Sequence, residues 1–75
     1  MWIRSQNKEL LRNVISIEII KYESEKYTTI VGDGWDLGAY SSHEKALRVL
    51  DWIQNQIEYK NVKVHQMPQD EDVEV

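Results

Sequence analysis

Apolar positions recur along this chain with two different periods, and the switch between them divides it. From Asn13 to Tyr22 they alternate, with Ile15, Ile17 and Ile19 on one side and Val14, Ser16, Glu18 and Ile20 on the other. A β-branched run of period two predicts a strand with one apolar face. Trp2 to Gln6 predicts a short first strand, followed by a polar turn at Asn7–Glu9, with Leu10 and Leu11 dipping toward the core. After a second turn at Glu23–Lys26, Tyr27–Val31 and Trp35–Tyr40 flank Gly32-Asp33-Gly34, where two glycines accept positive φ at little cost. The short connections predict an antiparallel meander of four strands, because parallel pairing needs crossovers of roughly a dozen residues or more.

Beyond Tyr40 the period changes to 3.6. Ala46, Val49, Leu50, Ile53 and Ile57 fall on one helical stripe with Leu47 at its border, and Glu44, Arg48, Asp51, Asn55 and Glu58 fall opposite. Ser41 followed by Glu44 has the spacing of a capping box, which fixes the start of the helix. Lys60 and Asn61 suit its end, where asparagine tolerates a left-handed conformation. Val62–Met67 alternates again and predicts a last strand, closed by Pro68. Placed beside the first strand, it is expected to run antiparallel to it.

The expected fold is therefore α+β: a four-stranded antiparallel meander, one amphipathic helix on the Ile15/Ile17/Ile19 face, and a short C-terminal strand. One helix cannot cover both faces of a sheet. The second face, carrying Ile20, Tyr22 and Trp35, is expected to meet water, another copy of the chain or a partner.

At 75 residues, the chain is one small domain near the lower size limit for an unstapled core. It has no cysteine, which excludes disulfides and thiolate metal sites. Its start carries no apolar run of signal-peptide length, and no stretch approaches the roughly 18–20 apolar residues of a membrane span. A cytoplasmic protein without membrane contact is the expectation. The net charge of −4 is uneven: residues 1–68 balance, and Asp70, Glu71, Asp72 and Glu74 carry the excess. Residues 1–68 are read as the single domain, and 69–75 as an acidic tail whose composition favours disorder.

Three segments together resemble something known. Met1-Trp-Ile-Arg-Ser-Gln6, the stretch Leu37-Gly38-x-Tyr40-Ser41-Ser42-x-Glu44-x-Ala46-Leu47-x-Val49-Leu50, and Met67-Pro68 before an acidic end are similar to a family of small proteins of Gram-positive bacteria and their phages. The resemblance spans nearly the whole chain. It implies a phage or prophage origin and brings with it no activity, cofactor or site residue.

Candidate chemistry is sparse. His43 in the first helical turn and His65 in the last strand have no third ligand at metal spacing and no paired nucleophile, so both read as polar surface positions. Asp33 and Asp36 offer two carboxylates where a calcium loop needs about five or six oxygens. No catalytic residue, metal ligand or cofactor site is assigned. The aromatics are different: three Trp and four Tyr, with no Phe, all carry a polar handle suited to interfaces. Trp52, with Val49, extends the apolar stripe around one flank of the helix. Val49, Trp52, Trp2, Trp35 and Tyr22 form the candidate interaction surface.

The functional expectation is a non-enzymatic protein-interaction module, a phage or prophage accessory protein, binding a protein partner or itself as a homodimer. The alternative is a nucleic-acid-associated protein, stacking single strands on its sheet or mimicking DNA with its tail. The charge balance over residues 1–68 disfavours nucleic acid.

Overall fold

The computed structural model describes residues 1–75. It is an α+β fold with one helix and two three-stranded sheets. The strands are β1 (Trp2–Arg4), β2 (Leu11–Asn13), β3 (Ile17–Lys21), β4 (Thr28–Gly32), β5 (Trp35–Tyr40) and β6 (Val64–Gln66), and helix α1 spans His43–Tyr59. A 3-10 turn follows at Asp70–Asp72. One sheet has the order β2-β1-β6 and the other β3-β4-β5.

The expected four-stranded meander is thus corrected, because the run from Asn13 to Tyr22 is not one strand. Val14 stays with the first sheet: its amide donates to the Met1 carbonyl at 2.8 Å, and the Met1 ammonium donates to the Val14 carbonyl at 2.9 Å. The next two amides turn away from any strand partner. Ile15 and Ser16 N–H donate to the Asp33 carboxylate at 2.8 and 3.1 Å, and the Ser16 hydroxyl joins at 3.3 Å. A carboxylate that satisfies two consecutive amides replaces the ladder there and lets the chain change sheets. Ile15, expected in the core, is 91 % exposed, while Val14 is buried. Ile17 and Ile19 do pack against the core, as their side of the alternation requires.

The hairpin β4–β5 has the two-residue loop Asp33-Gly34, both at positive φ (48° and 86°). That conformation matches the twist of the flanking strands. Gly32 is needed for another reason. A Cβ there would lie 2.7 Å from Leu37 Cδ1 and 3.1 Å from Val14 Cγ1. A register shift opposite Ile30 and Val31 leaves Leu37 outside the ladder, and Leu37 is fully buried.

β6 lies beside β1, but parallel to it, with Trp2 opposite Val64 and Arg4 opposite Gln66. This is the second correction. Once the chain leaves the first sheet at Ile15–Ser16, the direction of the later meander is no longer tied to β1. The crossover through the second sheet and the helix then returns β6 in the same sense as β1.

Helix α1 lies on the inner face of β3-β4-β5. Ala46, Val49 and Ile53 are its buried residues, and they share one core with Ile3, Val14, Ile30, Leu37, Tyr40 and Met67. Leu50 is half-buried, and Leu47 and Ile57 are exposed. The helix cap is shifted by one residue from its expected place. Ser42 is the N-cap, its hydroxyl accepting from Lys45 N–H at 3.1 Å. Ser41 is engaged elsewhere, and Lys60 ends the helix in extended backbone rather than a left-handed cap.

Gln6 joins the two sheets. Its backbone N–H donates to the Leu37 carbonyl at 2.8 Å. Its side-chain amide accepts from Ala39 N–H at 3.0 Å and donates to the Ala39 carbonyl at 3.1 Å. The outer edge of β5 is therefore paired by a loop and a side chain rather than by a further strand.

Candidate functional site

The main concavity of the molecule lies between helix α1 and the segment after β6, a groove of about 340 Å³. Its apolar lining is Val49 and Trp52 from the helix, with Pro68 and Val73 from the returning chain; Arg48 and the acids Asp72 and Glu74 complete it. Val49 and Trp52 are three residues apart and so neighbours on the helix surface. Val49 is buried in the core, whereas Trp52 is 39 % exposed.

The groove exists because the chain beyond Met67 folds back. The first residues of the acidic segment 69–75 bond to the body of the fold. The Tyr40 hydroxyl donates to the Pro68 carbonyl at 2.9 Å, and Gln69 Nε2 donates to the Gln6 carbonyl at 2.7 Å. Asp70 accepts from Ser41 N–H at 2.8 Å and from the Ser41 hydroxyl at 3.1 Å. Lys45 Nζ donates to the Asp70 carbonyl at 2.9 Å and pairs with its carboxylate at 3.6 Å. The Ser41 amide, then the Ser41 hydroxyl and the Lys45 charge, hold the Asp70 carboxyl below the usual carboxylate range. Burial raises the Tyr40 hydroxyl pKa, with the Asp70 charge adding to it. Val73 then packs against the core.

The five residues of the expected interaction surface are not brought together. Val49 is core, and Trp52 forms one wall of the groove. Trp2 is 47 % exposed on the outer face of β2-β1-β6. Trp35 is about half exposed at the β4–β5 hairpin, one ring face covered by the Arg12 guanidinium at 4.3 Å. Tyr22 is exposed just beyond β3. Sequence reasoning missed Arg48, Pro68, Asp72, Val73 and Glu74 as groove residues. The signal was Val73, one apolar residue among acids, and Asp70, an acid able to meet the amides before a helix.

The histidines part company. His43 is exposed at the start of α1. His65, expected at the surface, is buried, because β6 turns it to the inner face beside Ile3, and its Nδ1 lies 2.7 Å from Gln56 Oε1. Burial, and secondarily the positive N-terminus, lowers its pKa. Neither Ser41 nor Ser42 faces a histidine as a nucleophile would: one bonds Asp70, the other caps the helix. The Asp33 carboxylate is occupied by the Ile15 and Ser16 amides, which lower its pKa.

A second concavity of about 220 Å³ lies between the loop after β1 and the β4–β5 sheet, lined mostly by polar groups including Asn7, Glu25 and Asp36. No three His, Asp or Glu side chains gather within metal-holding reach. Every buried side-chain polar atom has a hydrogen-bond partner, so none is left aimed at a ligand. No helix is long and apolar enough to cross a membrane. No family model, no curated protein and no solved structure matches the chain.

Proposed function

We propose that the protein is a non-enzymatic interaction module, and that the groove beside Trp52 receives an apolar side chain of a protein partner. The observation that carries this reading is the groove itself: apolar in lining, open to solvent, and walled by a half-exposed tryptophan. Buried aromatic anchors in such settings dominate binding energy in protein interfaces. Asp72 and Glu74 in the lining, with Glu71 beside them, outnumber Arg48. The fitting partner segment sets a Lys or Arg beside its apolar anchor. The resemblance to small proteins of Gram-positive bacteria and their phages supports a cytoplasmic phage or prophage accessory protein acting on a host or phage protein.

The test is affinity capture from a Gram-positive lysate, comparing the native chain with Trp52→Lys and Val73→Asp. Far-UV circular dichroism establishes that both variants fold. The expected result is one discrete partner, lost with either substitution. Capture unchanged by both variants overturns the reading. If the native chain captures only its own copies, and its solution mass drops in Trp52→Lys, the groove belongs to a homodimer instead.

A further inference from the structure

The edges of the two sheets are not equally protected. The β5 edge is closed by Gln6, and β2 and β6 are only three residues long. β3 is the other edge of β3-β4-β5 and runs five residues, Ile17–Lys21, with no proline, no bulge and no strand on its outer side. The Ser16 carbonyl accepts from Asp33 N–H at 3.2 Å, so the even-numbered residues turn their N–H and C=O groups toward β4. By alternation, Ile17, Ile19 and Lys21 turn theirs outward. Native edges are blunted by inward charges, proline or bulges; here only Lys21, at the far end, sets a charge on the side of Ile17 and Ile19.

Above this edge the helix is also uncovered. On one flank of α1, Trp52, Lys45 and Gln56 meet the tail and β6. Tyr40 and Gln6 join the tail to the β5 side of the sheet, so the other flank overlies β3. At ~100° per residue, that flank carries Leu47, Leu50, Gln54 and Ile57. Leu47 and Ile57 are about half exposed, and Leu50 is half-buried. Their spacing of three, four and three residues is the seam by which one helix meets another. Ile17 and Ile19, half-buried on the same face of the sheet, continue the apolar strip from helix to edge.

We propose that β3 pairs antiparallel with β3 of a second copy, giving a six-stranded sheet with two helices on one face. The occupant has to offer a strand at the edge and an apolar helix flank one layer above it, on the same side. A two-fold axis through Ile19 supplies both at once, because such an interface is self-complementary. In that register Ile19 meets its own equivalent, Ile17 lies opposite Lys21 and Glu18 opposite Ile20, so no like charges are set directly across the seam. The strip follows the 17 residues of α1 for about 25 Å and is two layers deep. That extent fits the smaller class of specific interface. Asp51 and Glu58 border the flank on its solvent side, so association is expected to strengthen as salt screens them. The Trp52 groove stays open on the opposite flank, and the two proposals stand or fall independently.

The test is sedimentation equilibrium of the full chain from the micromolar to the millimolar range, with hydrogen exchange followed at the same concentrations. The mass is expected to rise from one chain toward two, and more steeply as salt goes from about 0.02 to 0.2 M. The amides of Ile17, Ile19 and Lys21 are expected to gain protection with concentration, while those of Glu18 and Ile20, already turned to β4, change less. Lys21→Pro removes an outward N–H without touching the β4 ladder and is expected to weaken the dimer roughly ten-fold. Leu47→Lys combined with Ile57→Lys, both at exposed positions, is expected to weaken it further, and Trp52→Lys to leave it unchanged. A single-chain mass at every concentration overturns the proposal, as does a dimer whose Ile17, Ile19 and Lys21 amides still exchange freely. A dimer lost in Trp52→Lys and kept in Lys21→Pro also overturns it, placing the second copy in the groove.

Discussion

In the sheet β3-β4-β5 each strand pairs with one that precedes or follows it in the chain, and a two-residue loop closes one hairpin. In the sheet β2-β1-β6 the central strand has a hairpin partner on one side and a partner from the far end of the chain on the other. The sheet β3-β4-β5 carries α1 on its inner face, whereas β2-β1-β6 shows an outer face with Trp2 and Arg4 exposed on it. Local pairing makes the scaffold, and remote pairing makes a surface that neither end of the sequence possesses alone. The two are welded by shared core residues and by the Gln6 bridge to β5.

The strongest test of that weld is Ile3→Ala. Ile3 is fully buried on the central strand of β2-β1-β6, and such truncations cost about 2–5 kcal/mol. A core of this size supplies only ~3–5 kcal/mol in total. The substitution is expected to unfold both sheets together, with tryptophan fluorescence and far-UV circular dichroism giving coincident urea transitions. A surviving transition confined to β3-β4-β5 would show that sheet to be independent.

A smaller effect is expected from Gln6→Ala, which removes three side-chain hydrogen bonds, one of them to the Pro68 carbonyl, and leaves the outward N–H and C=O of Ala39 unpaired at the edge of β5. The cost is about 1–2 kcal/mol. Hydrogen exchange should locate it, with the Ala39 amide accelerating relative to amides within β4. Equal acceleration throughout would mean that Gln6 supports the core rather than the seam.

The mildest probe is pH, and it acts on the two regions in sequence. His65, in the terminal sheet, has a folded pKa below its ordinary 6.5. Its contribution is complete above that value and is lost as pH falls from there through the folded pKa, because the unfolded chain takes the proton first. Asp33 at the sheet-changing corner and Asp70 at the tail are depressed below 3.8. Their contribution is present above 3.8 and disappears as pH falls through their folded values. Urea midpoints are expected to decline in two stages, and His65→Gln is expected to remove the upper one. A single stage in the native chain would remove histidine from the account.

The same contrast explains what could be read in advance. The Gly-Asp-Gly turn, the Ala46/Val49/Ile53 stripe and the inward Ile17 and Ile19 depend on neighbours in sequence, and their periodicity displays them. The break at Ile15 does not, because it requires a carboxylate from Asp33, eighteen residues away. The direction of β6 depends in turn on that break. The cap moved from Ser41 to Ser42 because Asp70, remote in sequence, claims Ser41. The groove was half legible: Trp52 was visible on the helix flank, and its opposite wall was hidden because acidic composition alone favoured disorder.

Parallel pairing of β1 with β6 also has a kinetic consequence. The loop between Arg4 and Val64 encloses nearly all of the other elements, and closing a loop of that length gives no return until its contacts form. The meander and helix can assemble from short-range contacts first. The terminal sheet then completes as a late event, so refolding should show the second sheet and helix acquiring protection before the amides of β6.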